Sequence, residues 1–191
     1  MTSTTLSTLT SLRILIPLIM VVAAVAVFLE HCKTREGGEQ LPVRAMAAVL
    51  LGIYLLIYLY LTFGFRRPTK AAIIWLEPFR SYREAFSLAP FRVRRLGMAR
   101  QILLNILLTI PAGLLLPVFY RVKHPYRLAL VTILALSVLT ETMQYITRLG
   151  IFETDDLMDN LLGGLIGMGI LRGGSILLRR IKRDKQTEEQ I

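Results

Sequence analysis

The chain has 191 residues, 54% of them hydrophobic and only 19% charged, against roughly a quarter charged in soluble domains. Its net charge of +10 would suit nucleic acid in a soluble domain. Here the basic residues flank long apolar blocks, so anionic lipid headgroups account for them more cheaply. The sequence holds no Walker motif, no dinucleotide fingerprint and no zinc-finger spacing, and the single cysteine, Cys32, allows no internal disulfide.

Five apolar blocks reach or approach the roughly 20 residues that a bilayer span needs. They cover 12–29, 43–65, 102–120, 128–146 and 157–178. The pattern predicts an all-α, polytopic transmembrane helical bundle of about five spans. The first block has a second reading as the apolar region of a secretory signal, with "AVA" as cleavage site. Arg13 is the only charge before it and the run is long, which favours a span. Residues 1–42 then form an N-terminal span and loop, 43–171 the main body, and 172–191 a charged tail.

Between the second and third blocks, Trp75, Phe79, Tyr82 and Phe86 fall at i, i+4, i+7 and i+11, one face of a helix. Arg80, Arg83 and Glu84 fall largely elsewhere. Pro78 predicts a break, with a helix from about Phe79 onward. Aromatics beside arginines suit an interfacial amphipathic helix at headgroup level, with Trp75, Phe79, Arg80, Tyr82 and Arg83 meeting lipid. It is either a passive anchor or a binder of lipid phosphate.

Each span switches side, so the 66–100 segment and the connection after the fourth span share one face of the membrane. His31 and His124 go to the other. With the C-terminus inside, twelve of the 23 Lys and Arg residues are cytoplasmic and eleven are outside, so the positive-inside rule does not decide. Discounting the arginines of an interfacial segment tips the balance toward a cytoplasmic C-terminus.

Three polar stripes point at that shared face. Glu141, Gln144 and Arg148 are spaced i, i+3, i+7 at the end of the fourth span. Asp156 and Asn160 are spaced i, i+4 at the start of the fifth, beside Asp155. Gln101, Asn105 and Thr109 recur every four residues in the third, ahead of Pro111 and Gly113, which can loosen a span beside a cavity. Charged and amide groups at membrane depth are costly and usually mark function. The candidate site is therefore Asn105, Glu141, Gln144, Arg148, Asp155, Asp156 and Asn160. A structural reading stands beside it. In that reading Arg148 pairs with Glu141 or Asp156, Asp155 and Asp156 serve the fifth helix's dipole, and Asp159 is solvated. Gly163-x-x-x-Gly167 is a close-packing signature, within the chain or in a dimer.

Carboxylates and amides would suit magnesium or calcium rather than zinc, and two nearby carboxylates could exchange protons. Neither signal is specific. No metal, no cofactor and no nucleic acid is expected, and no nucleophile arrangement is visible.

Three ordered segments resemble the VanZ-like family of bacterial membrane proteins, over about 43–171. "EPFRSY" at 77–82 is similar to its Pro-Phe segment, with Glu77 where asparagine is common. "NILLTIPAGLLLP" at 105–117 is similar to its Asn-x5-Pro-x-Gly segment. "SVLTETMQYITRLGIFETDDLMDNLLGGLIG" at 137–167 resembles its signature of Ser, Glu-x2-Gln, Arg, Asp-Asp, Asn and a glycine-rich helix. The resemblance implies a multi-pass protein of the bacterial plasma membrane, linked in some members to resistance to teicoplanin and related lipoglycopeptides. It also implies a cytoplasmic C-terminus and an extracellular motif face. Expected partners are membrane lipids, with a lipid-linked cell-wall precursor as candidate ligand. The alternatives are a membrane-embedded enzyme, with Glu141 or Asp156 as base and Arg148 on a phosphate, or a flippase. Against a flippase, no inverted repeat is visible.

Overall fold

The computed structural model describes Ile19, Ala24 and residues 40–64, 72–87, 92–120 and 122–188. Apart from Ile19 and Ala24, the first apolar block lies outside the described residues, as do His31 and Cys32. In chain order the elements are α1 (Gln40–Phe63), β1 (Ile74–Trp75), α2 (Arg80–Phe86), α3 (Arg92–Phe119), α4 (Pro125–Thr147), β2 (Phe152–Glu153) and α5 (Thr154–Glu188). The protein is an all-α bundle, and among the described residues four helices are long and apolar enough to cross a membrane: Val43–Phe63, Arg95–Phe119, Pro125–Thr147 and Thr154–Leu177.

The central helix is α3. Residues from Thr109 to Val118 are buried in an unbroken run, whereas α1, α4 and α5 turn apolar side chains such as Val49, Leu56, Val131, Leu139 and Leu165 outward. That exposure is costly in water and free in lipid, where acyl chains are as apolar as leucine. The helix stays continuous through Pro111 and Pro117, because packing against its neighbours holds the turns whose hydrogen bonds proline removes.

The α3–α5 contact runs backbone to backbone. A Cβ on Gly163 would lie 2.2 Å from the carbonyl oxygen of Ile106, and one on Gly167 2.3 Å from that of Ile110. Facing them, a Cβ on Gly113 would lie 2.2 Å from the Gly164 carbonyl. Small residues at this spacing replace a hydrophobic drive that lipid does not supply, so this glycine face packs within the chain.

Connections are short at the far end, where Pro125 opens α4 at a position that tolerates its missing N–H. There Arg44 of α1 donates from Nη2 to the Phe119 carbonyl at 3.1 Å, satisfying the end of α3. At the other end, β1 and β2 pair in parallel, Ile74 with Phe152 and Trp75 with Glu153. This ladder ties the α1–α3 connection to the α4–α5 connection, the two segments that share a face by span parity.

The helix after Pro78 forms as expected, over Arg80–Phe86. Trp75 does not share its face, because the chain is extended at Trp75 and turns at Phe79 through a left-handed residue with φ 61°.

Candidate functional site

The α2 segment is held down by carboxylates rather than by lipid alone. Asp155 at the start of α5 accepts the backbone N–H of Phe79 at 2.6 Å and of Ser81 at 2.7 Å. It thereby serves as the acceptor for the exposed donors at the start of α2, a task that an N-cap side chain usually performs locally. Ser81 donates its hydroxyl to Glu153 at 3.3 Å, and the Tyr82 hydroxyl donates to Asp159. Burial, together with the Asp159 carboxylate, raises the Tyr82 phenol well above its ordinary value, so it holds its proton across the neutral range. Arg80 lies 3.6 Å above the Trp75 ring and pairs with Glu84, while Arg83 pairs with Glu77.

Behind this segment lies a polar chamber of about 530 Å³. Its floor and walls come from the N-terminal half of α3, the last turns of α4, the first turns of α5 and the end of α1. Gln101 donates to Asp156 at 2.9 Å, and Glu141 accepts the backbone N–H of Glu153 at 3.1 Å, tying α4 to the turn that follows it. Glu141, Gln144 and Asn160 are almost fully buried, and all three line the chamber with Asn105, Asp156, Arg100 and Trp75. Two of these side chains carry a buried polar atom with no partner: the Asn105 amide nitrogen, a donor, and the Gln144 amide oxygen, an acceptor. A buried unpaired amide atom costs roughly 1–3 kcal/mol, and the chamber lining carries two, one from α3 and one from α4.

Deeper between the helices is a second cavity of about 250 Å³ with a wall nearly all carbon, lined by residues such as Leu51, Tyr54, Leu116 and Leu136. Tyr58 and Asn160 line both spaces. At this boundary the Tyr58 hydroxyl donates to Thr140 at 3.2 Å, and the Asn160 amide donates to Ser137 at 2.7 Å.

The structure thus gathers Asn105, Glu141, Gln144, Asp156 and Asn160 around one chamber and sends two of the candidate residues elsewhere. Arg148 does not continue the Glu141–Gln144 stripe. The helix ends at Thr147, and Arg148 sits in the left-handed region at φ 57°, its N–H turned back to the Tyr145 carbonyl at 3.2 Å. Its side chain is exposed, outside the chamber lining. Asp155 is buried and close by, yet it faces the backbone of α2. Asp159 is not solvated but fully buried against Tyr82. Arg100, Thr140 and Glu153 also line the chamber; the first two are chain neighbours of Gln101 and Glu141, which was their only signal in the sequence. Glu153 gave none, because β2 rather than a helix presents it.

Among the described residues, no group of three or more His, Cys, Asp or Glu side chains is arranged to hold a metal ion. The carboxylates are instead engaged with backbone and side-chain donors.

Fold and chamber define a polytopic helical membrane protein with a polar site at one end of its bundle. A family model described as VanZ/LLP1 matches residues 47–179. The chain belongs to the VanZ/LLP1 family. No curated protein and no solved structure matches it.

Proposed function

We propose that this protein is a bacterial envelope protein whose polar chamber binds the polar part of a lipid-linked cell-wall precursor at the outer membrane face, and so lowers the action of teicoplanin-type lipoglycopeptides. The observation that carries the reading is the chamber wall itself: amides and carboxylates with one unpartnered donor and one unpartnered acceptor, in a bundle where such groups are expensive. An outward-facing chamber is supported by Arg180 and Arg183, which follow the membrane-spanning part of α5 at the opposite end and suit the cytoplasm. The arginines of 72–87 weigh less in that count if their segment, which is folded onto the end of the bundle, lies among headgroups.

The test is teicoplanin susceptibility of a sensitive Gram-positive host expressing the protein, beside Asp156→Asn and Glu141→Gln at matched membrane abundance. The expected result is a raised inhibitory concentration for the parent chain that both variants lose. A parent chain that leaves susceptibility unchanged would reject the resistance reading. Labelling of a cysteine introduced at exposed Leu76, in a chain whose own Cys32 is replaced by serine, by an impermeant reagent on intact cells tests the orientation separately.

A further inference from the structure

The chamber and the slot behind it form a site with two chemistries in series. The chamber needs a ligand that both accepts from the Asn105 amide nitrogen and donates to the Gln144 amide oxygen. An ammonium donates but cannot accept and an ionised phosphate accepts but cannot donate, so a zwitterionic head needs two oppositely charged groups where an uncharged hydroxyl serves both atoms. The charged groups on the lining agree: Glu141, Glu153 and Asp156 stand against Arg100, which disfavours an anionic head. Trp75 adds an aromatic wall of the kind that a sugar ring covers.

The slot shares Tyr58 and Asn160 with the chamber as a common wall and is lined wholly by residues of membrane-spanning helices. An apolar cavity stays dry, and in this setting hydrocarbon is the solvent that fills it. We infer that chamber and slot together hold one glycolipid, its hydroxyl-bearing head among Asn105, Gln144 and Trp75 and the first part of one chain in the slot beside Leu136. This inference rests on reading the chamber as a ligand site and adds the class of head and the place of the chain.

The experiment uses the full chain in phosphatidylcholine nanodiscs, whose head carries no hydroxyl, and the emission of Trp75, the single tryptophan of the protein. The probes are a monoglucosyl diacylglycerol, phosphatidylethanolamine, phosphatidic acid, and chainless methyl glucoside. The glucolipid is expected to change Trp75 emission at a concentration at least about tenfold below either other lipid, and about tenfold or more below methyl glucoside. Gln144→Ala should remove the preference for the glucosyl head, and Leu136→Phe, which narrows the slot, should remove the advantage of the chain while methyl glucoside still acts. Equal responses to the three lipids, or a chain advantage untouched by Leu136→Phe, would overturn the inference. A variant that does not fold is recognised by its lost helical circular dichroism, and Leu51→Phe then replaces Leu136→Phe on the facing wall. Glucolipid binding in a protein that leaves teicoplanin susceptibility unchanged would retain this site and reject the resistance reading. The converse result would reject the glycolipid alone.

Discussion

The seam between α3 and α5 and the polar end that both helices share are built on opposite terms. Along the seam, side chains are reduced to hydrogen and backbone touches backbone at Gly113, Gly163 and Gly167. At the polar end, the short segment around α2 has a ladder of only two residue pairs, and the side-chain carboxylates of Asp155, Glu153 and Asp159 add bonds across to α5 and the turn before it. The seam holds by dispersion over a close contact, the polar end by charge-assisted hydrogen bonds. A bundle in hydrocarbon pairs the polar groups that hold it together, as Asp155, Asp156, Glu141 and Asp159 are paired here. Of the buried atoms without a partner among the described residues, those of Asn105 and Gln144 line the chamber, while those of Arg44, Tyr54, Arg95 and Asp159 do not.

The largest effect is expected at the seam. Gly163→Leu would drive its side chain into the Ile106 carbonyl and the Thr109 hydroxyl, both 2.2 Å from the first added carbon. Backbone cannot step aside as a side chain does, so the cost should reach or exceed about 3 kcal/mol, read as loss of the folded fraction in detergent. Gly169→Ala on the same helix meets nothing within 4 Å and should stabilise by up to about 1 kcal/mol. Equal tolerance at both positions would mean that the seam is not the close contact described.

Next comes the carboxylate that anchors α2. Asp155→Ala leaves the Phe79 and Ser81 N–H groups without their acceptor, each charge-assisted bond being worth roughly 1.5–3 kcal/mol. The loss should be local. Hydrogen exchange at 79–86 should accelerate while α3 amides near Gly113 keep their protection. Uniform acceleration along the chain would instead make Asp155 a support of the whole bundle.

The spans were legible because their signal is composition over some 20 residues, and the four apolar blocks that fall within the described residues are helices. The convergence of Asn105, Glu141, Gln144, Asp156 and Asn160 was legible from helical spacing plus parity. What failed lies where the chain leaves the helix. Arg148 was placed by extending a 3.6-residue period one step past a terminus, and a single left-handed residue turned it outward. Trp75 was given a helical face although Pro78 intervenes, and the pairing that makes it a strand comes from Phe152 and Glu153, far away in sequence. Asp155 and Asp159 could not be divided from Asp156 by spacing, because their partners belong to α2. Nor does any local pattern reveal a cavity behind a polar wall.

A smaller effect sharpens the polar side of the comparison. Tyr82→Phe removes the donor to Asp159 and should cost about 1–2 kcal/mol at neutral pH. The phenol is raised above its ordinary value of 10.0 in the folded protein. Unfolded chain therefore gives up that proton first as pH rises. The contribution of Tyr82 is fully present below pH 10 and is lost progressively above it. Thermal stability of the parent chain should thus fall more steeply above pH 10 than that of Tyr82→Phe. Parallel curves would show that the hydrogen bond to Asp159 does not hold the phenol's proton.

The smallest effect is expected at Arg148, the residue whose type and spacing most suggested chemistry. An L residue in the left-handed region costs roughly 1–2 kcal/mol, which glycine avoids while surrendering about 0.5–1 kcal/mol to unfolded-chain entropy. Arg148→Gly should therefore be neutral or more stable by about 0.5 kcal/mol, since the exposed side chain contributes little to packing. It should also keep the glucolipid response of Trp75, because the guanidinium stands outside the chamber lining. Should Arg148→Gly fold as well as the parent and yet bind no lipid, the arginine would have to act at the chamber mouth, and the boundary drawn here between scaffold and site would move to include the end of α4.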